Sequence, residues 1–378
     1  MKKEKTISII IGVVILVVVV GAIVIIKNKP FAKNNAVDIY GAIGGGKENL
    51  LADERINEIF AKEYGINLVQ DSWSNGKTVK VDVRRENGDP YDLIFFSDQR
   101  YYDEYKTDAD PSLDEAPRYR VLDGQLTLNT PIVMYSWNSV VDVLKKEEIV
   151  TVKDGVHYIT DMPKLLNYIL EGKQWKDLGL SDIYGQVNIG SVDPVSSSPG
   201  ATYYGLLLSI MAGGTVNDDN IGAALPKLKT FYEKSGNMNN TPADLFNKFL
   251  MTGVGTYPII VDYEKSVIDF ANSNPDGWNA VKDKIVILYP TPTIWNSHCI
   301  AALSENGKKL IEAFKDKEVS QISWSEHGFR VGITGGNYDV SKVNVNGIPS
   351  SIDSVTQGLK MEYYDRVINC LSGKGECK

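Results

Sequence analysis

Val37-Asp-Ile-Tyr-Gly-Ala-Ile-Gly-Gly-Gly-Lys47-Glu-Asn-Leu-Leu-Ala-Asp-Glu-Arg-Ile-Asn-Glu-Ile-Phe-Ala-Lys-Glu-Tyr-Gly65-Ile-Asn-Leu-Val69 is the stretch from which the fold class can be read. It opens on a short apolar run, 37–43, and breaks at three glycines. Over residues 48–64, Leu50, Leu51, Ile56, Ile59 and Phe60 fall mostly at three- and four-residue spacing, the mark of one buried helix face. Gly65 stops this helix, and residues 66–69 form a second strand. Tyr91-Asp-Leu-Ile-Phe-Phe96 is a third, ending at Ser97-Asp98. Apolar strands joined by helices are the pattern of a parallel sheet covered on both faces. The alternation continues, with strands at 130–137, 187–191, 257–261, 284–289 and 298–303. Helices are predicted at 160–171, 201–212, 223–235, 243–251, 263–272, 305–315, 318–327 and 354–371. Residues 103–119 are polar and acidic and read as a surface excursion. So many elements exceed one compact core and predict two α/β lobes.

The chain has 378 residues, a formal net charge of −8 and 43% apolar residues, proportions that exclude gross disorder. Its first 35 residues hold six Lys against one Glu, so the remaining 343 carry −13. A body this acidic is unsuited to nucleic acid, whose phosphates need Lys or Arg, and to anionic lipid. Ile7–Ile26 is a run of twenty residues with Ser8 as its one polar member. That length spans a hydrocarbon core of about 30 Å. It exceeds a signal-peptide core of about 7–15 residues and lacks a small-x-small cleavage site. Residues 1–35 therefore predict a cytoplasmic stub and an uncleaved, single-pass membrane anchor. Lys2, Lys3 and Lys5 balance Lys27, Lys29 and Lys33, which leaves the orientation open.

Cys370 and Cys377 enclose six residues. They either close a small disulfide loop in an oxidising space or stay reduced thiols. The three Cys and the dispersed His157, His298 and His327 make no metal-ligand spacing, so no metal or cofactor is expected.

Four segments lie at strand ends, where α/β sheets bind ligands. Gly41-Ala-Ile-Gly44-Gly45-Gly46-Lys47-Glu48 has phosphate-loop spacing, but Glu48 replaces the hydroxyl that would hold Mg²⁺. A nucleotide site is thereby disfavoured. A Gly-rich turn at a helix start still points N–H groups outward, with Lys47 as an added charge. Ser196-Ser197-Ser198-Pro199-Gly200 is a second such turn, in which Ser198 reads as an N-cap and as a polar ligand. Ser97-Asp98 and Asp262-Tyr263-Glu264 are the other two. A catalytic reading would need Ser197 with His298 or His327, and no Gly-x-Ser-x-Gly elbow supports it. No catalytic residue is assigned. The acidic run Asp103–Glu115 lacks EF-hand spacing.

The order of these motifs, with Thr130-Pro-Ile-Val-Met-Tyr-Ser-Trp-Asn138 and Tyr289-Pro-Thr-Pro-Thr293, resembles bacterial extracellular solute-binding proteins of the type 2 periplasmic-binding fold, the molybdate and sulfate members above all. The resemblance covers about residues 36–335. It implies a double crossover between two α/β lobes, with lobe one at 36–133 and 264–378 and lobe two at 134–263. Ligand would lie in a cleft that closes by hinge bending. Gly44, Gly45, Gly46, Lys47, Ser97 and Asp98 would face it from lobe one. Ser196, Ser197, Ser198 and Thr202 would face it from lobe two, with Tyr257, Asp262 and Tyr263 near the hinge. It implies a monomer on the extracytoplasmic side of the cell membrane. There it would pass a small polar or anionic solute to an ABC permease. The anchor and the residues after 335 depart from the pattern. They leave room for a surface sensor or interaction protein, and a cleft hydrolase is a further alternative.

Overall fold

The computed structural model describes residues 36–73, 84–107, 121–236, 238–332 and 338–378. Along the chain run β1 (Val37–Ile43), α1 (Glu48–Ala52), α2 (Glu54–Glu63), β2 (Ile66–Ser72), β3 (Leu93–Phe96) and α3 (Gln99–Thr107). Next come β4 (Asp123–Trp137), α4 (Asn138–Lys146), β5 (Val150–Lys153), β6 (Val156–Ile159) and α5 (Met162–Glu171). They are followed by α6 (Ser198–Met211), α7 (Asp218–Lys234), α8 (Pro242–Thr252), β7 (Ile259–Tyr263), α9 (Glu264–Ser273) and α10 (Pro275–Val281). The chain ends with β8 (Ile285–Pro290), β9 (Thr293–Ala302), α11 (Glu305–Ala313), α12 (Lys317–Ser325), β10 (Arg330–Val331), β11 (Val355–Thr356) and α13 (Met361–Leu371).

These elements form two α/β units. The first holds the described residues up to Thr130 and those from Asn296 to 332; the second holds Pro131–Trp295 and the residues from 338 onward. The chain changes unit inside β4, inside β9 and again between residues 332 and 338. In the first unit β1 pairs in parallel with both β2 and β3, and β3 runs antiparallel to β9 from Leu93↔Ala302 to Phe96↔Cys299. Its core gathers Ile39, Phe60, Phe95, Ile300, Leu310 and Phe314. In the second unit β4 lies antiparallel to both β7 and β8, and β8 is parallel to β6. Its core gathers Leu165, Ile169, Tyr203, Leu207, Leu228 and Val367.

Several sequence expectations are corrected. The helix expected over 48–64 is two helices, because Asp53 takes an extended conformation and its carboxylate caps α2 by accepting from Arg55 N at 2.9 Å. Residues 187–191 do not pair as a regular strand; Gly190 alone makes a parallel bridge to Ile260. The return crossing falls between Trp295 and Asn296, not after 263, because β8 pairs with β4 and β6. Residues from 338 onward belong with the second unit, not the first. There Tyr363, Val367, Cys370 and Leu371 of α13 are part of the core, and Cys370 is bonded to Cys377.

The expected membrane span, residues 7–26, lies outside the described residues. Among those described, no helix is long and apolar enough to cross a membrane.

Candidate functional site

Each unit collects its own pair of strand-end segments. In the first unit Ile43 is paired with Phe95, and Gly44 N donates to Phe95 O at 2.9 Å. The Gly44–Lys47 turn after β1 and Ser97-Asp98 after β3 therefore leave the same end of adjacent parallel strands.

The side chains there answer one another. Gly46, at φ +89°, donates its N–H to both Glu48 carboxylate oxygens at 2.9 Å. Lys47 is turned inward and is 1% exposed. Its ammonium donates to Gly44 O, approaches Gly45 O and Phe95 O at 3.4 Å each, and lies 4.7 Å from the Phe95 ring centre. Asp98 is buried and accepts from Arg100 N at 2.9 Å and Arg100 Nε at 3.0 Å, which starts α3. Ser97 is half-buried beside it. Thus the loop's carboxylate sits on the loop's amide, and the loop's cation sits on carbonyl oxygens. The arrangement differs from an open cup with Lys47 presented.

His298 lies behind this turn. A Cβ on Gly46 would stand 3.6 Å from His298 Cε1, and His298 Nε2 is 3.0 Å from Asn296 Nδ2. His327 Nε2 is 3.0 Å from Asp53 Oδ2, which places it at the break between α1 and α2. Both histidines belong to the first unit, and Ser197 to the second.

In the second unit, Gly190 N donates to Ile259 O and Val261 N donates to Gly190 O, both at 2.9 Å. Two residues on, Val192 makes its own parallel bridge to Asn239. Beyond Val192 the chain turns through Ser196–Ser198 into α6; beyond Asp262 it enters α9. Ser196, Ser197, Ser198, Thr202, Asp262 and Tyr263 are therefore brought to one end of two neighbouring parallel segments. Tyr257 precedes β7, at that strand's other end. Its hydroxyl accepts from Asn239 Nδ2 at 3.2 Å, and its carbonyl accepts from Trp137 Nε1 at 2.9 Å.

The helix starts at this end differ in their capping. Asp161 caps α5 through Lys164 N at 2.9 Å, and Thr241 caps α8 through Asp244 N at 3.1 Å. Neither Ser197 at α6 nor Tyr263 at α9 makes a side-chain capping bond. The α6 start approaches the strand end closely, since a Cβ on Gly200 would lie 2.5 Å from Val192 O. Asp193 accepts from Val195 N at 3.0 Å and from Ser196 Oγ at 3.4 Å. Thr202 Oγ1 donates back to Ser198 O at 3.0 Å.

Asp262 is 5% exposed. Its Oδ1 accepts from Tyr263 N at 2.7 Å, and its Oδ2 is buried without a hydrogen-bond partner. Burial pushes its pKa up to about 6, against the opposing hydrogen bonds from Tyr263 N and Ser266 and the Lys265 charge. Next to it, Tyr135 OH donates to Tyr263 O at 2.6 Å, and Tyr289 OH donates to the buried Glu264 at 2.8 Å. Arg100 was not singled out by sequence reasoning, and Tyr135, Tyr289 and Gly200 were quoted only within longer motifs. The contacts of Tyr135, Tyr289 and Gly200 join segments distant or turned back in the chain, which no local spacing signals.

No family model matches this sequence, and no curated protein matches it. Solved structures do. A candidate extracellular solute-binding protein from Bordetella parapertussis superposes with a TM-score of 0.57 at 14% identity, over 89% of this chain and 97% of its own. An ABC transporter structure from Clostridium perfringens gives 0.52 at 14% identity, over 89% and 98%. Apo ferric ion-binding protein A of Pasteurella haemolytica gives 0.54 at 12%, over 90% and 98%. The chain has the two-part α/β fold of the extracellular solute-binding proteins.

Proposed function

We propose that the chain is a membrane-anchored, extracytoplasmic solute receptor that captures a small polar solute and delivers it to an ABC permease. The observation that carries this reading is in the second unit. The start of the 14-residue helix α6 has no side-chain cap, and it leaves the same strand end as the buried carboxylate of Asp262. Helix N-termini favour anionic or acceptor groups, which supports a solute carrying one. The likeness of fold supports the receptor role. The Cys370–Cys377 disulfide supports an oxidising compartment outside the cytoplasm. Residues 7–26 supply the anchor.

Thermal melting of the purified chain against a panel of oxyanions, amino acids, polyamines and sugars tests the proposal. A solute at 100-fold excess over its dissociation constant adds about 2.7 kcal/mol. The expected result is a rise in melting temperature with at least one class. A panel that shifts nothing contradicts the reading.

A further inference from the structure

We propose that the solute presents a hydrogen-bond donor, a hydroxyl or an ammonium group, to Oδ2 of Asp262. This rests on the receptor reading and specifies the chemistry of its ligand. A buried carboxylate oxygen without a donor is costly, and folded proteins rarely retain one. Asp262 keeps one: Oδ1 is taken by Tyr263 N, while Oδ2 is buried and unpartnered. Accepting the Tyr263 N–H needs a single oxygen, and although the Ser266 hydroxyl also helps to lower the carboxyl's pKa, Oδ2 itself has no hydrogen-bond partner. The place is the strand end that also starts α6, whose first turn lacks a side-chain cap. Acceptor and donor demands thus occur in one unit. A solute bearing both kinds of group answers both, and an oxyanion without hydrogens answers only the first. Near neutral pH the carboxylate is mostly ionised, since burial holds its pKa at about 6. It then accepts and does not donate. Among the described residues, no three His, Cys, Asp or Glu side chains group to hold a metal ion.

The test is calorimetric titration of the full chain in detergent, wild type and Asp262→Asn. The probes are sulfate and molybdate as acceptor-only ions, glycine, arginine and spermidine as ammonium probes, and xylose and glycerol as hydroxyl probes. The expected result is binding of an ammonium or hydroxyl probe that weakens about tenfold or more in D262N, as loss of a charged hydrogen bond does. Which probe class binds separates the two donor sources. Asp262→Ser, whose hydroxyl can still accept the Tyr263 N–H, serves if D262N does not fold. Binding of sulfate or molybdate with none of the donor probes overturns the inference and leaves the receptor reading standing. Equal binding of a donor probe by wild type and a folded Asp262 variant also overturns it. A wild-type chain that binds no probe overturns both.

Discussion

The Lys47 ammonium faces the carbonyls of Gly44, Gly45 and Phe95, where a surface lysine would face water. Lys47→Met strands these acceptors and is expected to cost about 1–3 kcal/mol in urea unfolding. An exposed lysine would change stability by less than about 0.5 kcal/mol. Two carboxylates give opposite pH signatures. Asp53 is held at about 2: burial alone would raise it, but hydrogen bonds from Arg55 and His327 and the Arg55 charge outweigh burial. Its contribution is present above its ordinary pKa of 3.8 and lost as pH falls towards 2. Asp53→Ala should cost about 1 kcal/mol at pH 7 through the lost cap, and less at pH 2. Asp262 is raised to about 6, so its contribution favours folding below pH 4 and is lost as pH rises through 6. Melting curves between pH 4 and 7 should show that decline, and Asp262→Asn should flatten it. At this scale the sequence showed where the polar loops lie, because Gly, Ser and Pro mark them. It did not show which way Lys47 and Glu48 turn, because β3 supplies the Phe95 carbonyl from 48 residues away.

Helix α5 was legible because Met162, Leu165, Leu166 and Ile169 repeat at helical spacing and are all buried. Helix α4 was not: its Val140, Val141 and Val143 are β-branched residues that read as strand as readily as helix. The β5–β6 hairpin did carry a signal. Asp154 and Gly155 take φ of +52° and +77°, and Asp-Gly between short apolar runs marks such a turn. Strand β4 begins seven residues before the expected 130 because its first part is polar along one side. Two element-scale changes are predicted. Gly200→Ala drives a methyl group into Val192 O and Asp193 O, and should lower stability by about 1–3 kcal/mol. Cys370→Ser opens the loop to Cys377 and should cost about 2 kcal/mol, read as a lower denaturation midpoint that reductant reproduces in wild type.

For the whole molecule, the alternation of strands and helices made two α/β units legible, but the residues at which the chain changes unit were not. Two of those points lie inside the continuous strands β4 and β9, where Pro131 and Asn296 stand at the change of unit but neither ends its strand. The C-terminal residues, which were expected with lobe one, contribute Val367 and Leu371 to the second unit's core. The proposed receptor function requires that the chain hold a small solute. Native mass spectrometry of the detergent-released chain, taken directly from cells, tests that claim most directly. The prediction is a population heavier than the bare chain by one small polar molecule, which is reduced in Asp262→Asn. A spectrum holding only the bare chain, unchanged when extracellular solutes are added back, would contradict it.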